Sequence, residues 1–288
     1  MRQNVGIILG IIVVFAAMAT LWIYLRGDSA QAALRVYEVD GTVKLTTALG
    51  DELPASVDRE LSDGDRLATG VNSRVVLALG EETRMRLGPT SSVQVKSVDE
   101  TGVKLELEDG MLSATVRPGS GAVRIGNNGR EVVAEDAEFE VGVYGEAFQA
   151  RASEGSLTVV GTDVTRVEPG EQVTAVGTRA RVGPVPEELL LNVDWPQGDQ
   201  KHGKKKFPLP GLSVPGARIV VTGPDIDPPV ETQANDKGEF VAMIPLIEGR
   251  RPTVTVEAFD ALGRSINDAG ILPLRDTQIR ANGGPDYQ

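Results

Sequence analysis

Five basic side chains fall between positions 201 and 206, in a chain of 288 residues whose formal net charge is −12. They are Lys201, His202, Lys204, Lys205 and Lys206. Lysines so clustered suit an anionic membrane surface or an acidic protein, each lysine contributing about one kcal/mol near anionic lipid. A solvated, merely solubilising linker gives the same pattern. The four lysines are the candidate contact residues for a membrane or a partner. His202 is the sole histidine and has no carboxylate beside it in sequence. General acid or base work and metal ligation both need a fixed shell around the ring, so His202 reads as a solvated linker residue.

Carboxylates are the other chemistry available. Glu81-Glu82, Glu106-Glu108-Asp109 and Glu135-Asp136-Glu138-Glu140 are acidic clusters. Glu106 and Glu108 flank Leu107, and Glu138 and Glu140 flank Phe139, which is the alternation of a strand with one solvated face. Asp225, Asp227, Asn235 and Asp236 flank turns and lack the ligand spacing of a calcium loop. No Gly-x-Ser-x-Gly elbow, phosphate-cradling loop or His-Glu-x-x-His helix occurs. With no cysteine, thiolate chemistry and disulfides are excluded. The expectation is a non-enzymatic protein without metal or cofactor. The pI of about 4.7 argues against nucleic acid, whose phosphates need a concentrated positive surface.

The elements that would carry such a binding role divide the chain. Val5 to Leu25 is free of charge, and about 21 residues at roughly 1.5 Å each span about 30 Å of hydrocarbon. Trp22, Tyr24 and Arg26 then mark an interface, so a transmembrane signal anchor is expected over 5–25, after a cytoplasmic tail of residues 1–4. A cleaved signal peptide competes, since Ala30-Gln31-Ala32 has the small-x-small form. Gly6 and Gly10 form a Gly-x-x-x-Gly pattern through which such helices associate. The charge bias predicts that the remainder is exported, and the expected localisation is the inner membrane with the bulk of the chain in the periplasm.

From Leu34 to Val182 short alternating runs such as "SRVVLALG", "TRMRLG" and "GVKLELEDG" end in glycine-containing turns. A β domain is expected over 34–182, with Val75, Leu77 and Leu79 buried and Arg74, Glu81, Arg84 and Arg86 facing outward as a recognition surface. Between 183 and 214 proline becomes dense and alternation stops, which reads as a linker, with a short helix near Glu187 to Leu191. Residues 215–288 return to β texture on the scale of a small sandwich.

Several ordered motifs resemble the FecR domain, a periplasmic module of iron-uptake regulators. They are Gly41 and Val43 in "DGTVKL"; Gly64, Asp65, Leu67, Thr69 and Gly70 in "GDRLATG"; Gly110 in "LEDGML"; Phe139 and Val141 in "AEFEV"; Gly155 in "ASEGSLTV"; and Gly170 in "VEPGEQV". The resemblance implies a twisted, solenoid-like or sandwich-like stack of short strands that acts through protein contacts. The C-terminal "ARIVVTG", "TQANDKGEFVAMIPLIEG" and "PTVTVEAFDALGR" resemble bacterial Ig-like or carboxypeptidase-regulatory-like sandwiches, which serve as spacers or binding modules.

The expected fold class is mostly β: a transmembrane helix, a FecR-like domain, then an Ig-like sandwich. The expected function is a membrane-anchored periplasmic protein that binds or scaffolds an envelope partner in signal transduction. Two alternatives stand beside it. One is transmembrane sigma-factor regulation of the iron-uptake kind, though the family places its sigma-binding domain where only about four residues precede the apolar run. The other is an envelope protein that binds cell wall or carbohydrate.

Overall fold

A computed structural model of the chain describes residues 33–163, 166–197 and 200–276. The first module consists of β1 (Leu34–Asp40), β2 (Val43–Thr46), β3 (Glu52–Pro54), β4 (Arg66–Thr69), β5 (Arg74–Leu79), β6 (Thr83–Leu87), β7 (Ser92–Asp99), β8 (Gly102–Val116), β9 (Ala122–Asn127), β10 (Arg130–Ala134), β11 (Ala137–Tyr144), β12 (Ala147–Gly155), β13 (Leu157–Val160), β14 (Arg166–Val167), β15 (Glu171–Val176) and β16 (Arg179–Pro184). The second consists of β17 (Leu191–Val193), β18 (Lys201–His202), β19 (Lys206–Ser213), β20 (Arg218–Gly223), β21 (Ile226–Gln233), β22 (Glu239–Pro245), β23 (Thr253–Phe259), β24 (Ser265–Ile271) and β25 (Leu274–Arg275).

In the first module two faces share one long strand. The front sheet runs β1-β5-β6-β8-β11-β12-β15-β16, and the back sheet runs β3-β2-β4-β7-β8-β9-β10-β13-β14. The strand β8 serves both. Its first half pairs with β7 and, in parallel, with β9; its second half pairs with β6 and β11. The switch occurs at Gly110, with φ +89 and a Cβ position 2.1 Å from Ser91 Oγ, where only glycine fits. Between the sheets lies one core, in which Val75, Leu77 and Leu79 are fully buried against Met85, Leu105, Leu107 and Leu112. Of the solenoid-like and sandwich-like arrangements expected, the module has the second, a sandwich closed by a shared strand.

The "GDRLATG" motif explains how loops attach to that core. Asp65 is buried, and its Oδ1 and Oδ2 accept the backbone N–H groups of Ala48 and Ser62, each at 3.0 Å. Thr69 Oγ1 donates to Gly88 O at 2.6 Å and accepts the Ser91 N–H at 2.9 Å. Thr69 thereby satisfies buried backbone groups, and Asp65 holds two loop N–H groups at the edge of the core. The motif is structural, and its polar atoms are fully used.

The second module packs a three-stranded sheet, β17-β19-β22, on a four-stranded one, β21-β20-β23-β24, with β18 and β25 paired in parallel beside them. Its own core includes Leu209, Ile219, Val221, Phe240, Ile244 and Val256.

Several expectations are corrected. All described elements are strands, so the mostly β class with a transmembrane helix becomes all-β over the described residues. No described helix is long and apolar enough to cross a membrane, and the span expected at 5–25, with Gly6 and Gly10, lies outside the described residues. No helix forms at Glu187 to Leu191, where Leu189 is instead buried and Leu191 begins β17. The expected linker over 183–214 supplies β17, β18 and β19, with Val193 and Leu209 in the second core. Proline hid this, because Pro208 and Pro210 occupy exposed positions of β19 and leave Leu209 between them to face inward.

Candidate functional site

Alternation on the front sheet sends one set of side chains inward and leaves another on its outer face. Arg84 and Arg86 of β6 stand opposite Thr115 and Ser113 of β8, which stand opposite Glu138 and Glu140 of β11. Together with Ser153 and Val76 they line a groove of about 270 Å³. Arg84 lies 4.6 Å from the centre of the Tyr37 ring and donates to Thr83 O at 3.0 Å, so stacking fixes its direction. Glu140 Oε2 sits 2.5 Å from Arg151 Nη2, off the line of a hydrogen bond and shielded from water. Arg86 and Glu138 have no side-chain partner among the described residues. A cation on one wall, a carboxylate on the other and hydroxyls between them suit a polar peptide segment. The placement offers no nucleophile paired with a base.

Among the outward residues expected to recognise a partner, Arg84 and Arg86 meet in this groove. Arg74 is tied to Glu38 and Asp40, and Glu81 sits in the exposed turn between β5 and β6. Val76 was not legible as part of the site: it lines the groove from β5 yet is only 8% exposed.

The remaining candidates are dispersed. Glu108 accepts from Ser92 Oγ at 2.8 Å and pairs with Arg66; Glu106 accepts the Asn128 N–H. Asp225 pairs with Arg250, Asp236 pairs with Arg179, and Asn235 Oδ1 accepts the N–H groups of Lys237 and Glu239 across a turn. Among the described residues no three of these groups could hold a metal ion. His202 is half-buried, edge-on to Phe207 with ring centroids 5.3 Å apart and Nε2 3.0 Å from Lys206 O, which corrects the solvated reading. Lys201 pairs with Asp276 at 2.9 Å, while Lys204, Lys205 and Lys206 are exposed.

A family model described as FecR protein matches residues 65–180. These residues are a FecR domain. Strands β1 to β3 extend its two sheets on the N-terminal side of the match, and the second module lies wholly beyond it. Two crystal structures described as a "putative anti-sigma factor" from Parabacteroides distasonis are similar, at 16% identity and a TM-score of 0.37. The similarity covers 41% of this chain and 59% of that one, so the chain spans less than two thirds of that protein's length. A Ca²⁺-stabilized adhesin with which an Antarctic bacterium binds ice has 10% identity and a TM-score of 0.23, covering 85% of this chain and 66% of its own. No curated protein matches the chain.

The second module docks on the outer face of the FecR domain, beside the groove. The turn joining β23 to β24 lays Ala261 and Leu262 against β11 and β12, and both are buried. Gln149, 2% exposed, accepts the Ala261 N–H at 3.0 Å. Asp260, also buried, accepts Arg264 Nε at 2.8 Å, and Arg264 Nη1 donates to Pro186 O at 2.8 Å. Gln233 Nε2 donates to Tyr144 O at 2.8 Å. Burial raises the Tyr144 phenol above its usual range, and the hydrogen bond to Glu231 raises Arg218 beside it.

Proposed function

We propose that the protein is a non-enzymatic binding or scaffold component of the cell envelope, whose FecR domain holds a protein partner in the groove between Arg86 and Glu138 and takes part in signalling. The observation that carries this reading is the groove itself, where charges of both signs stand without partners on a domain of the FecR type. Arg86 and Glu138 are exposed, and a partner that buried them would have to match them, so a segment that pairs both walls would gain specificity as well as affinity. Placement in the envelope is supported by the uncharged run from Val5 to Leu25. A reporter fused to the C-terminus and active only in the cytoplasm would overturn that placement.

Site-specific photocrosslinking tests the groove. A crosslinker in place of Thr115 is expected to capture a discrete partner in living cells, and Arg84→Glu with Arg86→Glu is expected to lower the yield at least tenfold. Both arginine side chains project from the outer face, so the double variant should melt within about 1 kcal/mol of the parent. Undiminished capture in that variant would sink the groove assignment. The identity of the captured protein then separates the readings, since a sigma factor or a transporter's signalling domain would mark regulation of the iron-uptake kind.

A further inference from the structure

Strand direction gives the second module two unlike ends. The residues that meet the FecR domain are Gly216, Gln233, Asp236 and Ala261, at the ends of strands where β20 starts, β21 finishes and β23 turns into β24. Because Lys206 pairs with Pro245, Leu212 with Glu239 and Thr253 with Ile271, the start of β19, the end of β22 and the end of β24 lie together at the opposite end. That end carries Lys201, Lys204, Lys205 and Lys206. The loop after β22 adds Arg250 and Arg251, and Arg275 donates to Leu246 O from β25. Against them stand Asp225, Asp227, Glu248 and Asp276; Asp225 pairs with Arg250 and Asp276 with Lys201. In a chain of net charge −12 this tip is locally cationic.

Apolar side chains are exposed at the same place. Ile247 is 43% exposed in the loop between Lys205, whose carbonyl accepts the Leu246 N–H, and Arg250. Ile271 is 57% exposed at the end of β24, and Met243 is 47% exposed on β22. We propose that this tip docks on a bilayer surface bearing anionic lipid headgroups, with Ile247 entering the interface and Lys204, Lys205 and Lys206 engaging the headgroups. An isolated apolar side chain ringed by cations fits a surface that is anionic outside and apolar a few ångströms deeper. Lysine stems extend along such a boundary while keeping the ammonium in the polar layer. An acidic protein would satisfy the cations and leave Ile247 and Ile271 without a matching environment. This proposal is independent of the partner groove.

The absence of cysteine makes the test direct. A solvatochromic label on Ile247→Cys in the full chain, titrated with vesicles, is compared with the same label on Leu49→Cys, a residue of the first module that is 92% exposed. With mixed phosphatidylglycerol and phosphatidylcholine, the label at 247 should shift to the blue and that at 49 should not. The shift should be absent with phosphatidylcholine alone, and about 0.5 M NaCl should reverse it. Lys204→Glu, Lys205→Glu and Lys206→Glu together should lower the apparent affinity roughly a hundredfold or more with an unchanged melting temperature. An equal shift on both lipids, no shift on either, or a shift that survives the triple substitution overturns the proposal. A label that responds to soluble polyglutamate and not to the vesicles overturns it in favour of an acidic protein.

Discussion

Asp65→Ala is expected to destabilise the FecR domain by about 3–6 kcal/mol, as two backbone N–H groups lose a charged acceptor worth roughly 1.5–3 kcal/mol each. The donors belong to Ala48 and Ser62, so one carboxylate joins the turn between β2 and β3 to the loop that leads into β4. The neighbouring backbone is equally committed: Val95 N–H donates to Asp65 O at 2.8 Å, and Gly64 N–H donates to Val95 O at 2.8 Å. Losing the side chain therefore loosens the attachment of β7 as well as the turn. Denaturant unfolding of the variant should show the midpoint fall with little change in slope. Asp65→Asn keeps one good acceptor and should recover part of the loss. A variant with Ala at this position that unfolds within 1 kcal/mol of the parent would show that the two hydrogen bonds are replaceable by water.

Gly142→Val is expected to release the second module from the FecR domain while leaving both folded. A Cβ at this position would lie 2.0 Å from Ala261 O and 2.4 Å from its carbonyl carbon, so the docked turn must withdraw. Withdrawal strands Gln149 Oε1, which has the Ala261 N–H as its partner, and exposes Leu262. The cost of forcing such contacts is about 1–3 kcal/mol. Small-angle scattering should register a longer particle, and proteolysis should open a new cut between Phe259 and Arg264. Gly183→Val provides the control, because its Cβ meets nothing within 4 Å. Equal scattering from the two variants would exclude Gly142 as the point on which docking turns.

Much of the site lay open to reading from the alternation of β6. "TRMRL" places Met85 and Leu87 inward and Arg84 and Arg86 outward, and a period of two permits no other arrangement once the apolar side is buried. The carboxylate wall was harder to see. Glu138 and Glu140 are over fifty positions away from the arginines, and only the pairing of β8 with both β6 and β11 brings them across the same groove. Gln149 was invisible for a related reason. On an outward position of β12 it looks solvated, and its burial depends entirely on a turn more than a hundred residues later. The lysine run misled about its own surroundings, because exposed prolines at 208 and 210 suggested a linker where β19 in fact forms.

The sequence by itself determined the strands of the first module, their turn glycines, their buried apolar positions and the absence of a thiol. These follow from local sterics and from the alternation that a half-buried strand requires. Only the tertiary structure decided that β8 belongs to two sheets, that the FecR domain presents a groove of both charges, and that the second module docks by one end and turns its cationic end away. Strand order and module docking are set by contacts between residues far apart in the chain, and no local pattern encodes which distant strand will supply the neighbour.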